Sequence, residues 1–210
     1  MPGEAIKVQW TTPKTGPENL TVAAGEAKAI VTVGATQTTI YSFCVDMADF
    51  INPPTGNYAV TPLLTNSTNP SLNNGNEAAY LYNTYTNGAT GPVAGGTVNG
   101  VSLTANEEAS ALQLAIWDLT NSNNGGITFQ TSDSKITNAY NFFLTDAGKN
   151  GASFIGNWLA ENNGDGQSFL YPTGGGGPNL NSPEPASFTL AFAGIGFGLA
   201  LRRWRRGKLV

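Results

Sequence analysis

Residues 103–119 (LTANEEASALQLAIWDL) constrain the fold more than any other segment. Thr104 and Glu107 have the spacing of a capping box, in which each side chain satisfies a backbone N–H at a helix start. Glu107 and Glu108 fall in the first turn, at the positive end of the helix dipole. Leu112, Ala115, Ile116 and Leu119 recur at 3–4 spacing, so the helix carries an apolar stripe that other elements must cover. The same spacing predicts helices over 76–86 (Ala78, Leu81, Tyr82, Tyr85) and 133–144 (Ile136, Ala139, Tyr140, Phe143, Leu144), with a short one around 152–159. Val, Thr and Ile at period two predict strands over 29–33 and 38–45, then 58–64, and 168–171 could close a sheet. Residues 52–56 and 66–75 read as loops and 88–100 as a glycine-rich connection. Strands followed by helices, with a late strand, give an α+β fold rather than a βαβ alternation.

The 210 residues contain no histidine and one cysteine. That removes Ser-His-Asp and Cys-His nucleophiles, imidazole-bound metals, disulfides within the chain and multi-cysteine metal sites. Five basic residues against 13 acidic ones in 1–182 give the body a charge of −8, with no electrostatic footprint for nucleic acid. Asp46 and Asp49 lack the dense ligand pattern of a calcium loop and are expected to face solvent; no metal or other cofactor is implied. The glycosylation sequons at Asn19 and Asn66 read as chance in an Asn/Thr-rich chain.

Charge changes sign at the C-terminal end. The body, 1–172, gives way to a Gly-rich linker at 173–182 and then to Pro183-Glu184-Pro185. Sixteen uncharged residues, 186–201, follow, and then Arg202, Arg203, Trp204, Arg205 and Arg206. At 1.5 Å per residue the apolar run spans about 24 Å, and snorkelling arginines extend its reach, so it is expected to form a single transmembrane helix with a cytoplasmic Arg cluster.

Pro-Glu-Pro, a short apolar helix and terminal arginines together resemble the PEP-CTERM sorting signal of Gram-negative bacteria, here over 183–208. The resemblance implies export, an inner-membrane-anchored precursor, processing by an exosortase near Pro183–Pro185, and a final place at the cell surface or outside it. Met1–Trp10 departs from that pattern, having no apolar core of a signal peptide.

Two motifs in the body carry chemistry. Cys44 lies in Tyr41-Ser-Phe-Cys-Val-Asp46, where it shares a strand face with Ile40, Ser42 and Asp46. Gln113 lies in Leu112-Gln-Leu-Ala-Ile-Trp117, at the edge of the apolar stripe. A thiol held against a carboxamide in a dry pocket can attack the amide carbon and expel ammonia, and pre-positioning worth about 10⁵ M or more makes so slow a step feasible. The bland reading has Cys44 as a small buried hydrophobe and Gln113 as a satisfied helix amide.

Phe43-Cys44 and the Gln-x-Ala-Ile-Trp pattern at Gln113–Trp117, in that order and with a helix between them, resemble the thioester domains of bacterial surface adhesins. The resemblance spans roughly 31–117 and implies an antiparallel β-sandwich or barrel joined to a helical subdomain. It implies an internal Cys44–Gln113 thioester, shielded by Phe43, Ile116 and Trp117, that an amine on a surface or matrix target opens to form an amide. Such a protein is a single-use covalent binder and not an enzyme. Tyr41, Ser42, Tyr80 and Tyr82 are conceivable donors to the reacting carbonyl. The alternatives are a structural biofilm or matrix protein that keeps the fold with an unreacted thiol, and a hydrolase using Cys44, which the missing histidine disfavours.

Overall fold

The computed structural model describes residues 3–12, 16–33, 35–46, 55–62, 74–88, 90–122, 126–154, 156–161, 168–172 and 188–192. Three helices are present: α1 (Gly75–Tyr85), α2 (Ala105–Thr120) and α3 (Ser134–Asn150). The expected capping box forms: Glu107 N–H donates to Thr104 Oγ1 and Thr104 N–H to Glu107 Oε2, which fixes where α2 begins. Helix α2 is buried on almost every side. All residues from Glu107 to Trp117 are inside, while Leu119 is only half-buried. The apolar stripe therefore understates the burial, because α1 and α3 cover one side of α2 and a sheet covers the other.

That sheet has three antiparallel strands, β1 (Gly3–Thr12), β2 (Gly16–Gly25) and β8 (Ile127–Gln130), in the order β2-β1-β8. Ile6 and Val8 alternate with exposed Ala5, Lys7 and Gln9, so one face of β1 enters the core. A second, six-stranded sheet contains β3 (Ala27–Val33), β4 (Thr36–Ser42), β5 (Thr55–Pro62), β9 (Asn157–Glu161), β10 (Phe169–Tyr171) and β11 (Phe188–Phe192). Its order is β10-β9-β5-β11-β3-β4, all antiparallel. Just beyond β4, Cys44 bridges to Phe169 of β10, so the two ends of this sheet meet. A hairpin of β6 (Gly96–Val98) and β7 (Val101–Leu103) leads into α2. The chain is α+β with antiparallel sheets, as the order of elements implied.

Three expectations need correction. The short helix over 152–159 is a turn followed by β9; Gly156 falls inside the range, and Asn157–Glu161 gains ladder partners on both sides. The stretch 88–100 is partly strand, since Gly96–Val98 pairs with Val101–Leu103. Of the apolar run 186–201, Phe188–Phe192 is described, and it is the strand β11 rather than helix, its backbone paired with β3 and β5 at once. No described helix is long and apolar enough to cross a membrane. The linker, Pro183–Pro185 and the Arg cluster lie outside the described residues.

Asp118, near the end of α2, ties three elements together. Its Oδ1 accepts the Ile127 N–H of β8 and its Oδ2 the Tyr140 hydroxyl of α3, both at 2.8 Å. Gly126 has φ +70°, and a Cβ there would strike the Asp118 carboxylate, so this turn needs glycine on both counts. Asp118→Ala is expected to cost about 2 kcal/mol in urea unfolding, since it removes two charge-assisted bonds, one to buried Ile127 and one to half-buried Tyr140. An unchanged midpoint would show that the joint contributes nothing.

Candidate functional site

The site follows from how strand pairing runs out. Tyr41 N–H bonds Gly88 O, Phe43 O accepts from Leu170 N–H, and Val45 N–H bonds Ser168 O. Alternate residues of a strand present their backbone groups to opposite edges. Cys44 therefore turns its N–H and C=O away from β10, toward the edge that β3 covers further back. But β3 begins at Ala27, opposite Ser42, and covers nothing beyond it.

Gln113 fills the vacant edge. Cys44 N–H donates to Gln113 Oε1 at 3.1 Å, and Gln113 Nε2 donates to Cys44 O at 2.8 Å. The carboxamide thus stands in for a strand, paired at both atoms with the backbone of the one residue whose thiol could attack it. Two further α2 side chains fix the helix in register with the strands. Ser110 Oγ donates to Ala24 O at 2.9 Å, and Thr120 Oγ1 to Val45 O at 2.7 Å. Neither role is visible in sequence, because each depends on a strand end distant along the chain.

The surroundings are dry. Phe43, Val45, Leu112, Gln113 and Ile116 have no exposure, and Cys44 and Trp117 retain only 7% and 6%. Phe43 meets Tyr82 edge-on, with ring centroids 6.5 Å apart. Phe43, Ile116 and Trp117 are all buried in the core that holds the pair. Burial, and then the negative charge of Asp46, push the Cys44 thiol well above its usual range, so it is held protonated. Asp46 is itself 3% exposed, which corrects the expectation that it faces solvent: it lies directly after the Cys44–Val45 segment that α2 and Ser168 hold inside. Asp49 lies outside the described residues.

Three of the four conceivable carbonyl donors have other partners. Tyr82 donates to Tyr41 O at 2.6 Å, Tyr80 to Asp146 Oδ2 at 2.8 Å, and Ser42 to Leu170 O. The donor on Gln113 Oε1 is the N–H of Cys44, a group that residue-type reasoning passes over. This N–H already points at the oxygen on which negative charge would develop. Among the described residues there is no group of three or more side chains that could hold a metal.

The scaffold is α+β with antiparallel sheets, and a cysteine and a helical glutamine pair in its interior. The sequence model of the thioester domain family matches residues 41–149, more than half of the chain and the whole span from the end of β4 almost to the end of α3. The chain belongs to the thioester domain family. No curated protein and no solved structure matches it.

Proposed function

We propose that this protein forms an internal thioester between Cys44 and Gln113 and uses it to attach covalently to an amine-bearing target. The observation that carries the reading is the paired contact of the Gln113 carboxamide with Cys44 N–H and C=O, in a member of the thioester domain family. In the forming step Cys44 Sγ bonds to Gln113 Cδ. The C–N bond breaks, and the amide nitrogen leaves as ammonia after taking the thiol proton. The Cys44 N–H remains on the carbonyl oxygen throughout and stabilises the tetrahedral intermediate. In the attachment step a target amine bonds to Cδ, the Cδ–Sγ bond breaks, and one amine proton passes to sulfur. Because burial disfavours a thiolate here, Cys44 departs as a neutral thiol. One protein makes one bond, so this is adhesion chemistry rather than turnover. The enclosing Phe43, Ile116 and Trp117 keep out the water that would hydrolyse the thioester.

The tail supports an exported, surface-located protein. In this reading Pro183-Glu184-Pro185 is the motif processed by an exosortase, and Arg202, Arg203, Arg205 and Arg206 hold the precursor at the inner membrane on the cytoplasmic side. In this reading 186–201 inserts in the membrane in the anchored precursor, whereas Phe188–Phe192 within it pairs as β11 in the folded chain.

Intact mass tests the central bond. Freshly purified, unreduced protein is expected to be one ammonia lighter than its sequence, to resist alkylation at Cys44, and to gain one methylamine at Gln113. Full sequence mass with a freely alkylated thiol would instead identify a structural surface protein that keeps the fold without the bond.

A further inference from the structure

Strand β11 suits two environments that exclude each other. It runs between β3 and β5: Thr189–Phe192 pairs with Thr32–Ala29 on one side, and Phe188–Ala191 with Tyr58–Thr55 on the other. The same residues fall in the run of sixteen uncharged ones, 186–201, that ends at the Arg cluster. A strand takes its backbone hydrogen bonds from its neighbours, whereas a single segment crossing lipid must satisfy its own as a helix. Phe188–Phe192 therefore cannot hold its place in the sheet and cross a bilayer at once.

The rest of the sheet keeps its pairing when β11 leaves. Strand β3 still has β4 on its other edge, and β5 still has β9. The far ends of the sheet are joined independently, by the Cys44–Phe169 bridge and by the bonds from Leu170 N–H to Phe43 O and from Val45 N–H to Ser168 O. Withdrawing β11 thus opens a closed ring of strands at one seam and leaves the seam that carries Cys44 intact. Both bonds of Gln113 go to Cys44 at that retained seam, and neither involves β11.

We propose that the gap between β3 and β5 is an exchange site for the chain's own apolar C-terminal segment: the sheet holds Phe188–Phe192 before anchoring and releases it to the bilayer. This rests on the reading of 186–201 as the membrane segment of the anchored precursor. The exchange moves backbone hydrogen bonds and no covalent bond. In the held state the segment is paired at both edges, so it offers no open strand to other chains. In the anchored state Ala29–Thr32 and Thr55–Tyr58 each lose a ladder partner, while the Cys44–Gln113 pair stays in place.

The test is backbone hydrogen exchange of the full chain, in buffer and with vesicles of phosphatidylethanolamine and phosphatidylglycerol, read by mass spectrometry. Segments 29–32 and 55–58 are expected to be protected in buffer. They should exchange faster by about tenfold or more once the chain resists alkaline carbonate extraction from the vesicles. Exchange at 41–45 and 168–171, along the retained seam, is expected to change by less than about twofold. Protection of 29–32 and 55–58 that survives insertion overturns the proposal, as does its absence in buffer. Phe197→Asp places a charge in the apolar run beyond β11, so this variant is expected to be extracted by carbonate and to keep its protection among vesicles. Loss of protection while the variant remains extractable would trace the effect to the vesicle surface and overturn the proposal too. A wild-type chain that never resists extraction would instead fail the membrane reading of 186–201, so the two failures are distinguishable.

Discussion

Gln113→Ala and Cys44→Ala are expected to abolish methylamine incorporation equally, and to differ in stability. If the proposed thioester forms, both remove a cross-link that closes a span of 69 residues. By loop-closure arithmetic such a cross-link is worth about 4 kcal/mol, as for a disulfide of that span. Cys44→Ala otherwise loses one buried sulfur and keeps both bonds from Gln113, because those go to the backbone. Gln113→Ala orphans the N–H and the C=O of Cys44 in a buried site. An unpaired buried group costs about 1–3 kcal/mol, so Gln113→Ala should lie about 2 kcal/mol or more below Cys44→Ala in urea unfolding. Equal stabilities would show that the carboxamide does not complete the strand edge, which would remove the geometric basis of the site.

The same pair shows how far the sequence could be read. Cys44 and Gln113 were legible as partners because few other reactive groups exist in the chain and because the Gln-x-Ala-Ile-Trp pattern sits on a capped helix. The reason they meet was not legible. It lies in the register of β3 against β4, which ends at Ala27–Ser42 and leaves the next edge open. Register depends on which strands pair, and residues distant along the chain decide that. Donors chosen by residue type, Ser42, Tyr80 and Tyr82, were taken up by nearby backbone or by Asp146, while the backbone N–H of Cys44 needed no side chain at all.

The fold divides along the same line. Helices α1, α2 and α3 begin within two residues of expectation, since caps and 3–4 spacing are local properties; α3 runs six residues past Leu144, where its apolar spacing continues only at Ala147. Strand β1 lies outside the expected strands although Ile6 and Val8 alternate with Lys7 and Gln9, and β8 is only four residues long. Strand β9 falls where a short helix is expected, because a short apolar run suits either state until its partners are known. Asp46 belongs with these. Its burial comes from Thr120 and Ser168 closing on Val45, contacts that span 75 and 123 residues of chain.

Stability is expected to fall as pH rises from about 4.5 to 8, and Glu26→Gln is expected to abolish most of that fall. Glu26 precedes β3, at the corner where pairing with β4 stops, and is only 4% exposed. Its Oε2 accepts the Val93 N–H at 3.0 Å, while its Oε1 has no partner among the described residues. Desolvation outweighs that bond, and with a small push from Glu108 it lifts the carboxyl from an ordinary 4.5 to about 7. A carboxyl whose folded pKa lies above its unfolded one favours the fold while protonated. That contribution is complete below about 4.5 and is lost as pH rises through 7. At pH 8 the glutamine variant should therefore be more stable than the wild type by about 2–3 kcal/mol, since it keeps an acceptor for Val93 N–H and never ionises. At pH 4.5 the two proteins should unfold at nearly the same urea concentration. An equally steep pH dependence in the variant would place the titrating group elsewhere. A gain at pH 8 would mean that the corner freeing the Cys44 edge for Gln113 is maintained against the cost of a buried charge.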